Sequence, residues 1–335
     1  MSKYRVLNGG DTMPLVDSKF PVNTFLNNGH LQTLYPYFFR KIPAVTLQRD
    51  RIDLKDGDFI DVDYLVGESD ELVVLSHGLE GSSNTGYIRG MAKHLGEMHN
   101  YDVVAWNMRS CSGELNRRDK FYHAASCGDL NAVLLHALSR KNYKKIHLIG
   151  FSLGGNLTAF YASQFGNREI SQVCSATIFS SPIHLESSIK KLHNTQIGNF
   201  YSESFLVTMR KKALEKQRLG ILDIDPERIR ACRNFIDFDN LITAPLHGFK
   251  DAHEYYEEAS AINVIHKTKI PTLFVQSKDD PFLTKECFPL RQARQNKNLF
   301  LEITPTGGHV GFMYFNKGLS FWAEDRSIEF LKEVA

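Results

Sequence analysis

Residues 146–155 of this chain read IHLIGFSLGG, in which a short apolar run leads to a serine flanked by glycines. The run at 146–149 predicts a buried strand, and the small residues at 155–162 predict a helix that packs closely on a sheet. A turn this sharp forces Ser152 into an uncommon backbone conformation, and glycines at 150 and 154 lack the Cβ atoms that would clash there. We therefore expect the Ser152 hydroxyl at the carboxyl edge of a sheet, above the amino end of a helix.

The composition is that of an ordinary globular protein, large enough for one α/β domain or two smaller ones. The 335 residues include 40 basic and 38 acidic side chains, a formal net charge of +2, and 42% of them are hydrophobic. A balance this close to neutral gives no electrostatic reason to expect nucleic-acid binding. No apolar run approaches the ~20 residues that span a bilayer, so no transmembrane segment is predicted.

The polar stretch at residues 1–11 has no apolar core, so no secretory signal is expected. The five cysteines are scattered and show no Cys-x-x-Cys spacing. Such a pattern is typical of a reducing compartment. We therefore predict a cytoplasmic protein.

The order of the predicted elements indicates a mostly parallel, doubly wound sheet that begins with an antiparallel hairpin. Residues 46–66 predict the hairpin, with Asp56-Gly57 at its turn. Further strands are predicted at 72–75, 101–106, 146–149, 173–180, 272–276 and 299–303, and helices at 83–99, 127–140 and 319–334. Strands that alternate with helices in this way form parallel sheets covered by helices on both faces.

One stretch interrupts the alternation. Residues 184–267 are charged, aromatic and helical in pattern, and they fall between two predicted strands. This stretch is too short to be treated as an independent unit. We therefore predict a single domain over residues 1–335, with residues 184–267 inserted as a helical cap above the site.

Two side chains that a serine nucleophile requires follow later strands, in the order Ser, Asp, His. A serine hydroxyl needs a base to take its proton, and the base needs a carboxylate to orient it. Asp280 follows the strand at 272–276, and His309 follows the strand at 299–303. Because carboxyl ends of parallel strands face a common crevice, we expect both residues to meet Ser152 there. Asp280 is preferred to Asp279 because it lies directly before Pro281; Asp279 is then expected to brace the loop.

Two backbone amides are candidates for binding an oxyanion. The Leu153 amide directly follows the nucleophile, and the Leu79 amide lies in the turn after the strand at 72–75. In that turn, His77 is interpreted as a buried structural residue and not as a second base.

No pattern predicts a metal site or a cofactor. His253 and Glu254 lack the second histidine of a zinc-protease helix, so a solvated helix face is the better interpretation. The acidic residues at 56–63 miss the spacing of a calcium loop, which favours a hairpin with polar residues facing outward. Neither a Walker loop nor a dinucleotide glycine fingerprint is present.

Several segments resemble the YheT-like esterases of the α/β-hydrolase superfamily, which are related to the abhydrolase-domain acylglycerol lipases. They are NGHLQT at 28–33, HGLEGS at 77–82, NMRSCSG at 107–113, the Ser152 turn, DDPF at 279–282 and GHVG at 308–311. The resemblance implies the α/β-hydrolase fold, a triad of Ser152, Asp280 and His309, and hydrolysis of carboxylic esters, including acylglycerols. The chain departs from the family pattern at Ser110, where glycine is typical, and at Cys127, in a stretch that is usually more acidic.

The leading hypothesis is therefore a cofactor-independent serine esterase or acylglycerol lipase that acts on a small-molecule ester. Two alternatives remain open. The same triad also suits thioester or amide hydrolysis, and a catalytically silent hydrolase fold would serve as a binding module.

Two aromatic groups each admit two interpretations. Those of the insert either line an acyl channel or form the insert's own core; they are Phe200, Tyr201, Phe205, Phe235 and Phe238. The stretch LYPYFFRK at 34–41 suggests weak contact with lipid headgroups, although packing along the sheet is favoured.

Overall fold

A mostly parallel sheet of nine strands forms the centre of the computed structural model, which describes residues 15–22, 24–41, 44–315 and 319–334. Residues 1–11, on which the prediction about a secretory signal rests, lie outside the described residues. The strand order is β1-β9-β8-β7-β6-β4-β5-β3-β2. Only the pairs β2–β3 and β3–β5 are antiparallel among these nine described strands. The predicted fold class and its antiparallel hairpin are thereby confirmed.

The strands of this sheet are β1 (Leu15–Val16), β2 (Gln48–Asp53), β3 (Phe59–Leu65), β4 (Glu71–Ser76), β5 (Asp102–Trp106), β6 (Lys145–Phe151), β7 (Val173–Phe179), β8 (Thr272–Ser277) and β9 (Leu299–Thr304). A separate antiparallel pair is formed by β10 (Met313–Phe315) and β11 (Leu319–Phe321). Every strand predicted from the sequence is present. Residues 319–321 were predicted as helix, and this is wrong because they pair with Met313–Phe315.

The helices outside the insert are α1 (Gly29–Phe39), α2 (Gly86–Lys93), α3 (Cys127–Arg140), α4 (Leu153–Gln164), α11 (Leu290–Gln295) and α12 (Trp322–Val334). Those of the insert are α5 (Leu185–His193), α6 (Gln196–Arg218), α7 (Pro226–Ala231), α8 (Phe235–Phe238), α9 (Ala244–His247) and α10 (Ala252–Ala259). Helix α3 has the predicted bounds, whereas the helix predicted at 83–99 begins at Gly86 and continues beyond α2 as a π-helical turn, His94–Met98.

Alternate residues of the strands face two different cores. Leu72 and Val74 of β4 pack with residues of α3 and α4 on one face of the sheet. Val73 and Leu75 pack with residues of α2 and α12 on the other. This period of two is the geometry of an extended strand, and burial on both faces accounts for the continuous apolar run of β4.

Of the acidic residues at 56–63, Asp56 at the turn is exposed, but the other three are buried, so the interpretation that they face outward is wrong for those three. The side chains of Asp58, Asp61 and Asp63 are at most 8% exposed and are paired with arginines. Arg51 binds Asp61 at 2.7 Å, and Arg109 binds Asp58 at 2.9 Å. Charge pairing compensates for the loss of water around these carboxylates.

Helix α1 carries exposed aromatic rings near its carboxyl end. Tyr37, Phe38 and Phe39 are 78%, 61% and 67% exposed, so the predicted packing of this stretch along the sheet is wrong for these three rings. Leu34, on the same helix, packs against the core of the insert. No helix among the described residues is both long and apolar enough to cross a bilayer.

Candidate active site

Ser152 lies in the turn between β6 and α4 with φ 52° and ψ −122°, a backbone conformation that non-glycine residues rarely adopt. The flanking glycines have physical reasons to be glycine. A Cβ atom on Gly150 would lie 2.4 Å from the carbonyl oxygen of Gly154, and one on Gly154 would lie 2.2 Å from the carbonyl oxygen of His77. The close approach of these backbones holds Ser152 at the carboxyl end of β6, where the sequence placed it.

The three side chains predicted to act together are in hydrogen-bonding contact. His309 Nε2 lies 2.8 Å from Ser152 Oγ, and His309 Nδ1 lies 2.9 Å and 3.2 Å from the two carboxylate oxygens of Asp280. The ring of Phe282 stacks on the His309 imidazole with centroids 4.0 Å apart. With Nδ1–H donating to Asp280, Nε2 is free to accept the proton of Ser152.

Two adjacent carboxylates in the loop after β8, Asp279 and Asp280, have different partners. Asp280 is 2% exposed, and it accepts the Phe282 amide hydrogen at 2.8 Å in addition to His309. Asp279 instead accepts the amide hydrogen of Gly308 at 2.9 Å and a hydrogen bond from the Ser277 hydroxyl. The preferred residue Asp280 is thus the carboxylate in contact with His309, and Asp279 bonds the backbone of the loop that carries His309.

Helix α1 braces the loop that carries His309. The Thr33 hydroxyl accepts the His309 amide hydrogen at 2.9 Å, and it donates to the carbonyl oxygen of Gly29 at 2.6 Å. Gln32 forms bonds in both directions with the backbone of Met313, at 2.7 Å and 3.0 Å. In the sequence, residues 28–33 stand out only through the family resemblance, which gives them no role.

The two predicted oxyanion donors lie next to the serine. A Cβ atom on Gly78 would be 3.0 Å from Ser152 Cβ, which shows how closely the turn that contains Leu79 approaches the nucleophile. Within the described part of the chain, the amide hydrogens of Leu79 and Leu153 have no hydrogen-bond partner. Unpaired amides beside a serine hydroxyl are available for a negatively charged oxygen.

His77 has the structural role that was predicted. It is fully buried, accepts the Met108 amide hydrogen at Nε2 (3.0 Å), and lies with Nδ1 2.7 Å from the Gly78 carbonyl oxygen. Burial lowers the pKa of His77 to about 4, so the imidazole is neutral near pH 7. A neutral ring that bonds backbone on both sides fixes the shape of the turn.

An apolar pocket opens beside Ser152, beneath the insert. Its wall includes Leu79, Leu153, Leu185, Met209, Phe205, Phe235, Phe238 and Phe282. Both interpretations of the insert aromatics hold for Phe235 and Phe238, which line the pocket and also belong to the core of the insert. Phe205 also lines the pocket and packs against that core. Tyr201 belongs to the core and bonds His30 at 3.0 Å, whereas Phe200 is 59% exposed.

Residues weighed as metal ligands are engaged elsewhere. The side chain of His253 is 67% exposed and lies 3.2 Å from Glu186, so it is on a solvated face of its helix. Among the described residues, no cluster of three or more His, Cys, Asp or Glu side chains could hold a metal ion. All five cysteines are free thiols.

The fold and the glycine-flanked serine are those of the α/β hydrolases, and the chain belongs to the family described as the alpha/beta hydrolase fold, which it matches over residues 71–315. Its relatives place it in the YheT-like branch. The putative esterase YheT of Escherichia coli (strain K12) is 31% identical over 293 residues, which are 86% of this chain and 85% of that protein. Phospholipase ABHD3 of Homo sapiens is 28% identical over 316 residues, 90% of this chain and 76% of that protein.

Solved structures show the same fold at lower identity. The esterase Pf2001 of Pyrococcus furiosus superimposes with a TM-score of 0.58 at 16% identity, over 96% of this chain and 98% of that structure. At this identity the likeness concerns the fold alone.

Proposed function

We propose that this chain is a cofactor-independent serine hydrolase that cleaves carboxylic esters through Ser152, His309 and Asp280. The observation that carries the proposal is the continuous contact from the Ser152 hydroxyl through the His309 imidazole to the Asp280 carboxylate, at 2.8 Å and 2.9 Å. Membership of a family whose members include a putative esterase and a phospholipase supports the same chemistry.

The geometry suits an acyl-enzyme mechanism. His309 Nε2 takes the proton of Ser152 as Oγ attacks the ester carbonyl carbon, and Asp280 stabilises the charged imidazolium. The amides of Leu79 and Leu153 donate to the oxyanion of the tetrahedral intermediate. His309 then protonates the departing alcohol. Water, activated by the same imidazole, attacks the acyl-enzyme and releases the acid and Ser152.

We infer that the acyl group occupies the apolar pocket beside Ser152. Phenylalanine rings and aliphatic side chains line it, and these favour a hydrocarbon chain over a polar one. Short-chain esters and acylglycerols are both candidate substrates. A monoacylglycerol lipase of Saccharomyces cerevisiae, 27% identical over 259 residues, supports the second; the match spans 76% of this chain and 57% of that protein.

Weak contact with a membrane surface is proposed for the exposed rings of α1. Residues 24–41 contain no acidic side chain, and Lys41 is exposed beside Tyr37, Phe38 and Phe39. Aromatic rings with a neighbouring cation suit the headgroup region of a bilayer. The proposed location is the cytoplasm, because five free thiols are typical of a reducing compartment.

The test of the function is Ser152→Ala, assayed with p-nitrophenyl esters of increasing acyl length. We expect turnover to fall at least 10³-fold, because the variant lacks the hydroxyl that forms the acyl-enzyme. A fluorophosphonate probe should label the wild-type protein and leave the variant unlabelled. Undiminished turnover in Ser152→Ala would refute the assignment, and failure of the wild-type protein to label would favour a silent binding module.

Thioester and amide analogues in the same panel decide between the open alternatives, and a sharp preference for acetate esters would contradict the proposed acyl pocket.

A further inference from the structure

A buried ion pair lies in the wall of the largely apolar pocket. Lys212 Nζ lies 2.8 Å from the Glu80 carboxylate, and the two side chains are 18% and 7% exposed. Two charges beside a hydrocarbon site are costly to bury. Their location makes them notable, because Lys212 belongs to α6 of the insert and Glu80 directly follows the oxyanion donor Leu79.

The turn that carries Leu79 has an unfavourable backbone conformation. The Gly81 amide hydrogen bonds the Gly78 carbonyl oxygen at 3.0 Å, which closes a β-turn with Leu79 and Glu80 at its centre. Glu80 has φ 54° in the third position, where a turn with positive φ normally has glycine. A left-handed conformation is unfavourable for a non-glycine residue and persists only when its surroundings fix it.

Tyr122 and Lys212 supply that fixing. The Tyr122 hydroxyl accepts the Glu80 amide hydrogen at 2.8 Å, and it donates to one carboxylate oxygen of Glu80 at 2.9 Å. The Lys212 ammonium forms an ion pair with the other carboxylate oxygen, and it also lies 3.5 Å from Cys111 Sγ. Glu80 is thus tied through its backbone to the body of the fold and through its side chain to the insert.

We propose that Lys212 is a positioning residue for the oxyanion site. From the insert it holds the Glu80 carboxylate, and so keeps the Leu79 amide hydrogen directed at the position of the oxyanion beside Ser152. Lys212 makes no contact with the reacting atoms in this account. The inference rests on the proposed function, since it assigns a role within that reaction.

A merely structural lysine would behave differently, and α6 offers one for comparison. Lys216, one turn further along the helix, is fully buried and donates to the carbonyl oxygens of Arg118 and Lys120 at 2.5 Å and 3.1 Å. It joins the insert to the body of the fold, as Lys212 does, but it contacts no residue of the Leu79 turn. Lys216→Met is therefore the matched control for loss of a buried lysine.

The effect of Lys212→Met should appear in kcat. A misdirected Leu79 amide weakens a bond made chiefly in the transition state, so we expect kcat to fall about tenfold or more while KM changes less than about threefold. Lys216→Met should keep kcat within about twofold of wild type. Lys212→Arg retains the cation and should recover most of the lost kcat.

The decisive readout compares an ester with its thionoester, in which sulfur replaces the carbonyl oxygen. Sulfur accepts hydrogen bonds poorly, so the preference for the oxygen ester reports on the oxyanion donors. We expect Lys212→Met to shrink that preference at least threefold and Lys216→Met to leave it unchanged. Adding Glu80→Gln to Lys212→Met should cost little more, because both changes break one connection. If Lys212→Met does not fold, Lys212→Gln takes its place.

The two proposals fail in different ways. Absence of esterase activity in the wild-type protein, or full activity in Ser152→Ala, overturns the proposed function. An active wild type and an inactive Ser152→Ala, together with an unchanged oxygen-to-sulfur preference in Lys212→Met, overturn only the positioning role.

Discussion

Asp279 and Asp280 show how one position in a turn separates two identical side chains. Both are carboxylates in the same loop after β8, yet Asp280 contacts the His309 imidazole and Asp279 contacts the backbone of Gly308. In the proposed mechanism, the first arrangement stabilises the charge that appears on the imidazole during the reaction. The second holds the loop in place before the reaction begins.

Asp280→Asn should therefore damage catalysis far more than Asp279→Asn. An amide at position 280 no longer holds the imidazole in the productive tautomer, and in a comparable triad this change lowers kcat roughly 10⁴-fold. At position 279 the amide oxygen can still accept the Gly308 hydrogen, so we expect a loss within about tenfold. Steady-state kinetics of both variants on one p-nitrophenyl ester provide the measurement, and equal losses would contradict the assignment.

Much of this site could be predicted because each of its residues is marked by the sequence immediately around it. The Ser152 turn carries its own glycines, and Asp280 and His309 each follow a strand at a point where the chain must turn. Lys212 and Thr33 gave no such signal. Each acts through a contact with a residue more than 100 positions away, and no spacing rule relates a lysine in a long helix to a turn after β4.

Among the helices and strands, α1 is one that the sequence pattern does not predict. Its amino end carries a helix signal, since Asn28 Oδ1 accepts the Leu31 amide hydrogen at 3.0 Å. Pro36 in the interior obscures the pattern, because proline normally interrupts a helix. The exposed rings also depart from the buried stripe of an amphipathic helix. The strands were easier to predict, because continuous apolar runs are typical of strands buried on both faces.

The exposed rings of α1 lead to a prediction about lipid surfaces. Replacing Tyr37, Phe38 and Phe39 with serine should reduce cosedimentation with vesicles of phosphatidylcholine and phosphatidylserine at least threefold, because these rings supply the apolar contact. A matched control replaces Val66, Met98 and Leu135, which are 48%, 63% and 54% exposed elsewhere on the molecule. Equal vesicle binding by the two triple variants would refute membrane contact through α1, and thermal melting checks that both are folded.

At the scale of the whole molecule, buried histidines make stability depend on pH. Burial lowers the pKa of His77 to about 4, and burial together with the nearby His247 lowers the pKa of His123 to about 3. Between pH 6.5 and these values the unfolded chain binds more protons than the folded one, so stability falls as the pH falls. Burial raises the pKa of Asp239 to about 6. Between pH 4 and 6 the folded chain therefore binds more protons at this group than the unfolded chain, and this contribution to stability increases as the pH falls.

His123→Phe should make the protein less sensitive to acid. One neutral buried histidine contributes up to about 1.4 kcal/mol of lost stability per pH unit below pH 6.5, and the phenyl ring removes that contribution. Urea unfolding at pH 6.5, 5.5 and 4.5 measures the slope. His253→Phe, at an exposed position, should retain the wild-type slope. An unchanged slope in His123→Phe would show that this group does not titrate as its burial implies.

The hydrogen bond from the His309 amide to the Thr33 hydroxyl joins residues 276 positions apart. During synthesis on the ribosome, the nucleophile and its turn emerge about halfway through the chain, long before the imidazole that would activate them. The early helix that receives the histidine loop must therefore wait for the last strand of the sheet. Under the proposed mechanism, the chain cannot cleave esters until its final part has folded, so the appearance of activity would time the completion of folding.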